Sequence, residues 1–119
     1  ATELVVGGNL PPSVGISLPE TGRLHILGSP VFDIKFKNTI LIGRASIIAN
    51  VEDDSGIDKV EFYINGELKH VDSMAPYEYS FRKVNILKRL IRRYTFTVKA
   101  YDDQGKSGEV SLEVIAFFL

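Results

Sequence analysis

Asp53-Asp54 and Asp102-Asp103 are two acidic pairs, each followed closely by a glycine, Gly56 or Gly105. If the strands before them end at the same pole of a sandwich, their carboxylates could supply hard oxygen ligands for calcium. The spacing matches no EF-hand loop. The plainer account is preferred: aspartates ahead of a glycine accept backbone N–H bonds and shape a turn. A second cluster lies between residues 82 and 93, where Arg82, Lys83, Lys88, Arg89, Arg92 and Arg93 stand with no acidic residue among them. Lys88, Arg89, Arg92 and Arg93 are the candidate contacts to an anionic cell-wall polymer, an acidic polysaccharide or lipid headgroups. Val84, Leu87 and Leu90 or Ile91 would share one side of a short helix there. A platform for single-stranded nucleic acid would need interleaved aromatic residues. None is present, so nucleic acid is not an expected partner. The plainer account is a solvated connection whose apolar residues cap the core, and it is favoured.

Leu18-Pro19-Glu20-Thr21-Gly22 matches the signal cleaved by sortases, but a working signal sits near a C-terminus, before an apolar segment and a basic tail. Nearly the whole chain follows it here, so a turn is the better reading, with proline setting φ and glycine relaxing it. Tyr63, with Leu68 and Ile48, is expected on an outer sheet face and could stack on a sugar ring. Cross-strand pairing explains it as well. His70 is expected opposite Glu61 across a hairpin, and His25 has no metal partner nearby in sequence. No Gly-x-Ser-x-Gly elbow, His-Glu-x-x-His or phosphate-binding glycine loop occurs. The chain is therefore expected not to be an enzyme and to use no cofactor.

These residues must be positioned by a fold that 119 residues can build as one domain with a real core. A hydrophobic content of 45% and a charged content of 24% are ordinary for a globular protein, and a net charge of −1 creates no global field toward nucleic acid or a membrane. The absence of cysteine excludes disulfides and thiolate metal sites. No apolar run reaches the roughly 18 residues of a membrane-spanning helix. Residues 1–12, with Gly7-Gly8-Asn9 and Pro11-Pro12, have the composition of a linker leading into a domain over 13–119, as in a piece of a longer polypeptide.

Alternation of period two dominates the rest. Val14, Ile16 and Leu18 alternate with small residues, and Leu24 and Ile26 suggest a short edge strand. Phe32, Ile34 and Phe36 suggest a strand or extended loop. Ala45, Ile47, Ala49 and Val51 line one face of a clear strand. Val60, Phe62 and Ile64 point inward while Glu61 and Tyr63 point outward. Asn65-Gly66 between alternating runs signals a hairpin with a type I′ turn, which sets Tyr63 opposite Leu68 and Glu61 opposite His70. Tyr77, Tyr79 and Phe81 mark another strand, as do Phe96, Val98 and Ala100, then Val110, Leu112 and Val114. About seven strands at near-regular spacing, without a long helix, predict an all-β, immunoglobulin-like two-sheet β-sandwich. Its expected core is Ile47, Val60, Phe62, Tyr77, Tyr79, Phe96, Val98 and Leu112. The apolar end, Ile115-Ala116-Phe117-Phe118-Leu119, could finish the last strand, pack on the core or dock elsewhere.

The ordered set Glu52-Asp53-Asp54-Ser55-Gly56-Ile57, Lys59-Val60-Glu61-Phe62-Tyr63-Ile64-Asn65-Gly66, Ala75-Pro76-Tyr77 and Val98-Lys99-Ala100-Tyr101-Asp102-Asp103-Gln104-Gly105 closely resembles the immunoglobulin-like repeats of bacterial and archaeal cell-surface and secreted proteins. The resemblance spans most of residues 11–116. It departs at 83–93, where many members have a short glycine-containing turn. The resemblance implies a β-sandwich that generally performs no catalysis, lies outside the cell, and serves as a structural spacer, display or adhesion unit whose partners are neighbouring domains. The alternative it leaves open is an accessory module that binds a glycan or an anionic wall polymer for a secreted hydrolase.

Overall fold

The turn at Asn65-Gly66 forms as the dipeptide requires: both residues have positive φ, 52° and 82°. It joins two of ten strands in a computed structural model that describes residues 10–21, 23–26, 29–33, 39–43, 45–81 and 91–117. They are β1 (Ser13–Leu18), β2 (Arg23–Ile26), β3 (Ser29–Asp33), β4 (Thr39–Ile42), β5 (Ala45–Glu52), β6 (Ile57–Ile64), β7 (Glu67–Asp72), β8 (Tyr77–Phe81), β9 (Ile91–Asp102) and β10 (Ser107–Phe117). Strands β1, β5 and β8 make one sheet in the order β1-β5-β8, and the other seven make a second in the order β3-β2-β4-β10-β9-β6-β7. The fold is the immunoglobulin-like sandwich that the alternation predicts, with more strands than the expected seven.

The excess has a physical source. The β9–β10 hairpin is long, with antiparallel pairing that runs from Tyr101–Ser107 to Ile91–Phe117. Its turn-proximal half carries β6 and faces the three-stranded sheet. Its far half extends past that sandwich, and Val114–Phe117 pair in parallel with Thr39–Ile42. Strand β2 then pairs in parallel with β4, and β3 folds back on β2. A strand edge left open would present unpaired backbone groups, so the extended hairpin is continued by these three short strands. Ile91, Arg92 and Arg93 belong to β9 rather than to the basic connection expected over 82–93.

The core forms where inward positions of the two sheets meet. Val60 lies opposite Ala100, Phe62 opposite Val98 and Ile64 opposite Phe96. All six are buried, together with Ala45, Ile47 and Ala49 from the facing sheet. Phe62 and Phe96 are the largest of the fully buried side chains. Burying each contributes about 1.5–3 kcal/mol relative to exposure. Tyr77, Tyr79 and Leu112, expected in the centre, pack against it from partly buried positions. Leu41, Val114 and Ala116 carry the buried layer into the extension. Ala116 thus places the apolar chain end within β10; Phe118 and Leu119 lie outside the described residues.

The expected pairing of Glu61 with His70 does not form. Tyr63 faces Leu68 as expected, but the next partners are Phe62 and His70, so Lys69 is an extra residue. Such a bulge resets which face later residues occupy. Glu61 therefore faces Val71, and His70 comes to the inner side beside Phe62. There the His70 ring stacks on Tyr79, with centroids 5.6 Å apart and planes 22° apart, and so bridges the two sheets at their open side.

Just ahead of β1, Pro12 is buried and its carbonyl lies over Gly108, so closely that a Cβ at that position would run into the oxygen. Ser13 lies opposite Glu52, beside the acidic turns, whereas β10 ends at Phe117 at the opposite pole. The molecule measures 52 × 30 × 21 Å along its principal axes.

Candidate functional site

The two acidic turns do meet at one pole, where the Asp103 N–H donates to the Gly56 carbonyl at 3.1 Å. Asp53 Oδ2 accepts from Ser55 N at 2.9 Å, Ser55 Oγ at 2.8 Å and Gly56 N at 3.2 Å. Asp102 is buried, and its Oδ1 accepts from Gln104 N at 2.9 Å and Lys106 N at 2.8 Å. Gly56 and Gly105 hold φ of 118° and 88°, where a side chain would be strained. These carboxylates close the turns. Asp53 Oδ1 is buried and takes no hydrogen bond, yet no group of three or more His, Asp or Glu among the described residues is placed to hold a metal ion.

The sortase-like motif begins in the sheet and continues into a turn in which Thr21 is exposed. Leu18 is paired with Ile48, Pro19 is fully buried, and the Glu20 N–H donates to His25 Nε2 at 2.9 Å. Gly22 lies outside the described residues. His25 is itself buried, and its Nδ1 is 3.3 Å from the Ile40 carbonyl, so Nδ1 carries the proton and donates it there. This histidine ties β2 to the segment before it. Of the four basic candidates, Lys88 and Arg89 lie outside the described residues. Arg92 and Arg93 occupy adjacent positions of β9, opposite Ala116 and Ile115, and Arg93 is exposed. Neighbouring positions of a strand belong to opposite faces.

Side chains of mixed chemistry collect elsewhere, on the outer face of β10-β9-β6-β7. Register sets Leu68, Tyr63, Thr97 and Ser111 in one row, and Val71, Glu61, Lys99 and Glu109 in the next. Lys59 and Tyr101 are opposite each other beyond these. Ile48 lies on the other sheet, not with Tyr63. Glu61 is the hub: its side chain is only 10% exposed, Tyr63 Oη donates to Oε1 at 2.6 Å, and Lys59 Nζ is 3.5 Å from Oε2. Burial pushes the Glu61 carboxyl up, but the Tyr63 hydrogen bond, the charge and hydrogen bond of Lys59 and the hydrogen bond of Tyr101 together hold the group below the usual carboxylate value. The same bond pushes the Tyr63 phenol up to about 12. The Lys59 and Lys99 ammonium groups lie 4.8 and 5.2 Å from the centre of the Tyr101 ring. Tyr101 also raises the value of Lys99 above that of an ordinary lysine. Thr97 and Ser111 share a hydrogen bond of 2.8 Å.

Tyr63, Gly66, Thr97, Lys99 and Glu109 bound a shallow, open depression of about 340 Å³ on this face. Sequence reasoning found Tyr63 and Leu68 but missed Lys59, Thr97, Lys99, Tyr101 and Glu109. The available signal was that Lys59-Glu61-Tyr63 and Thr97-Lys99-Tyr101 are the outward positions of two alternating strands. Only register joins them.

The solved structures of fibronectin(III)-like modules of CbhA from Clostridium thermocellum share this fold. The match has a TM-score of 0.59 and 24% identity, and covers 91% of this chain and 46% of that one. An engineered protein matches at a TM-score of 0.52 and 17% identity, covering 88% of this chain and 20% of its own. At these identities the likeness concerns the fold. The chain spans less than half the length of either. No curated protein matches the sequence. Residues 37–114 match the family model described as bacterial Ig domain, most of the sandwich just built from its strands, and the chain belongs to that family.

Proposed function

We propose that this chain is a non-catalytic connecting module of a larger secreted or surface-exposed polypeptide, with neighbouring domains as its principal partners. The observation that carries the reading is the placement of the two ends of the domain. The backbone enters beneath Pro12, at the acidic pole, and leaves past Phe117 at the opposite pole of a body 52 Å long. Modules with ends at opposite poles join head to tail and add length. Tension between neighbours would slide β1 along β5, and β10 along β9 and β4, and so load each hydrogen-bonded ladder as a whole. The fibronectin(III)-like relative supports a multi-module context, because this chain accounts for 46% of it. Among the described residues no helix is long and apolar enough to cross a membrane.

Pulling a concatenated array of the chain end to end with a single-molecule instrument tests this. Each copy is expected to yield in one discrete force event, and Gly108→Val, which drives a side chain into the Pro12 carbonyl, is expected to lower that force. Extension of the copies without a discrete event would sink the reading.

A further inference from the structure

We propose that the outer face of the seven-stranded sheet, at the depression bounded by Tyr63, Gly66, Thr97, Lys99 and Glu109, binds an uncharged polysaccharide chain. The inference goes beyond the connecting role and does not depend on it.

The first ground is order. An exposed sheet face needs only solvated polar side chains. Here the Tyr63 hydroxyl is pinned to a nearly buried carboxylate at 2.6 Å, and two ammonium groups sit against the Tyr101 ring. Side chains already held in place lose little freedom when a ligand arrives, and tyrosine offers a large, stiff contact surface.

Charge supplies the second ground. Lys59 is matched by Glu61 on its own strand, and Lys99 lies directly opposite both Glu61 and Glu109 on the neighbouring strands. A face whose charges cancel attracts neither an anionic nor a cationic polymer from a distance. It does offer what a polyol needs. Lys99 donates hydrogen bonds, Glu109 accepts them, and the Thr97 hydroxyl does either.

The third ground is shape and polarity. A pyranose has apolar C–H faces and a polar rim. Tyr63 and Leu68 are cross-strand partners, and Leu68 and Val71 are 47% and 46% exposed, so an apolar edge lies beside the polar residues. The depression of about 340 Å³ accommodates a sugar residue. A Cβ built on Gly66 would meet nothing within 4 Å, so the hairpin end of the depression is open. An open trough suits the interior of a chain better than its terminus.

Affinity electrophoresis of the whole chain through gels that contain soluble mixed-linkage β-glucan, galactomannan or polygalacturonate tests the proposal. Retardation by at least one neutral polymer and none by polygalacturonate is expected. Glu109→Gln and Lys99→Met, which leave the core untouched, should each weaken the binding about tenfold, the scale of one charge-assisted hydrogen bond. Tyr63→Phe, which keeps the ring, should weaken it less than Tyr63→Ala. Unchanged melting temperatures would show that the glutamine and methionine variants are folded. Failure of both neutral polymers to retard the chain, preference for polygalacturonate, or retardation indifferent to both variants would each overturn the proposal. None of these results would alter the force measurement on the array.

Discussion

The acidic pole and the outer sheet face are both clusters of charged residues, and they spend their charge differently. At the pole, Asp53 and Asp102 accept hydrogen bonds from the backbone of their own short turns, and Asp53 also from the Ser55 hydroxyl. On the outer face, Glu61 is bound by side chains from its own strand, Tyr63 and Lys59, with Lys99 of β9 opposite it in the sheet. A carboxylate oxygen that accepts from the N–H groups of its own turn is a structural part, and Asp53 Oδ2 and Asp102 Oδ1 are spent in this way, although Asp53 Oδ1 is not. A carboxylate that orders neighbouring side chains leaves a prepared surface above it. The number of acidic residues in a cluster is thus a poor guide to function; where their hydrogen bonds go is a better one.

Substitutions can break this contrast. The largest effect should come from the core beneath both regions. Phe62→Ala removes a fully buried ring and should cost about 3–5 kcal/mol in urea unfolding. A cost under about 1 kcal/mol would mean that the inward face of β6 has been misassigned. At the pole, Asp102→Ala removes a buried carboxylate that accepts from two partly buried turn N–H groups and should cost about 2 kcal/mol by the same method. A near-neutral result would remove the structural account of the acidic turns and reopen the question of a ligand there.

Glu61→Gln on the outer face should cost less, about 1 kcal/mol at neutral pH, because Lys59 is partly solvated. The sign of its pH dependence follows from the lowered carboxyl value. The charged form is favoured in the folded protein, so the stabilisation is complete above the ordinary carboxylate range and is lost as pH falls through the folded value. The difference between the native chain and Glu61→Gln should therefore shrink on acidification. A difference that grows instead would contradict the Tyr63–Glu61–Lys59 geometry. The smallest expected effect is none: calcium should leave the melting temperature unchanged within error. A saturable rise, reversed by a chelator, would put a ligand at the pole after all.

Much of the fold was legible because its signals are local. Asn65-Gly66 names its own turn, since both residues tolerate the φ that the hairpin demands. Asp53 and Asp102 bond to residues two to four positions ahead, within reach of any local reading. Alternation along β5, β6, β9 and β10 separates core from surface because successive residues of a strand point to opposite sides. The bulge at Lys69 was not legible, because nothing in Glu67–Asp72 marks the extra residue. His70 turns inward because it stacks on Tyr79, which lies on a strand of the other sheet. Thr39–Ile42 is equally silent as a short apolar run, and becomes a strand by parallel pairing with β2 and with the distant end of β10.

By itself, then, the sequence determined the sandwich class, the hairpin, the acidic turns and which positions of the main strands face the core, since each depends on residues close together in the chain. Tertiary structure alone decided that Tyr63, Thr97, Lys99 and Glu109 share one depression, that Glu61 is nearly buried beneath its neighbours, and that β1 begins and β10 ends at opposite poles. Those features rest on the register between strands far apart in the chain. That register is set by how two whole sheets pack, which no local pattern encodes.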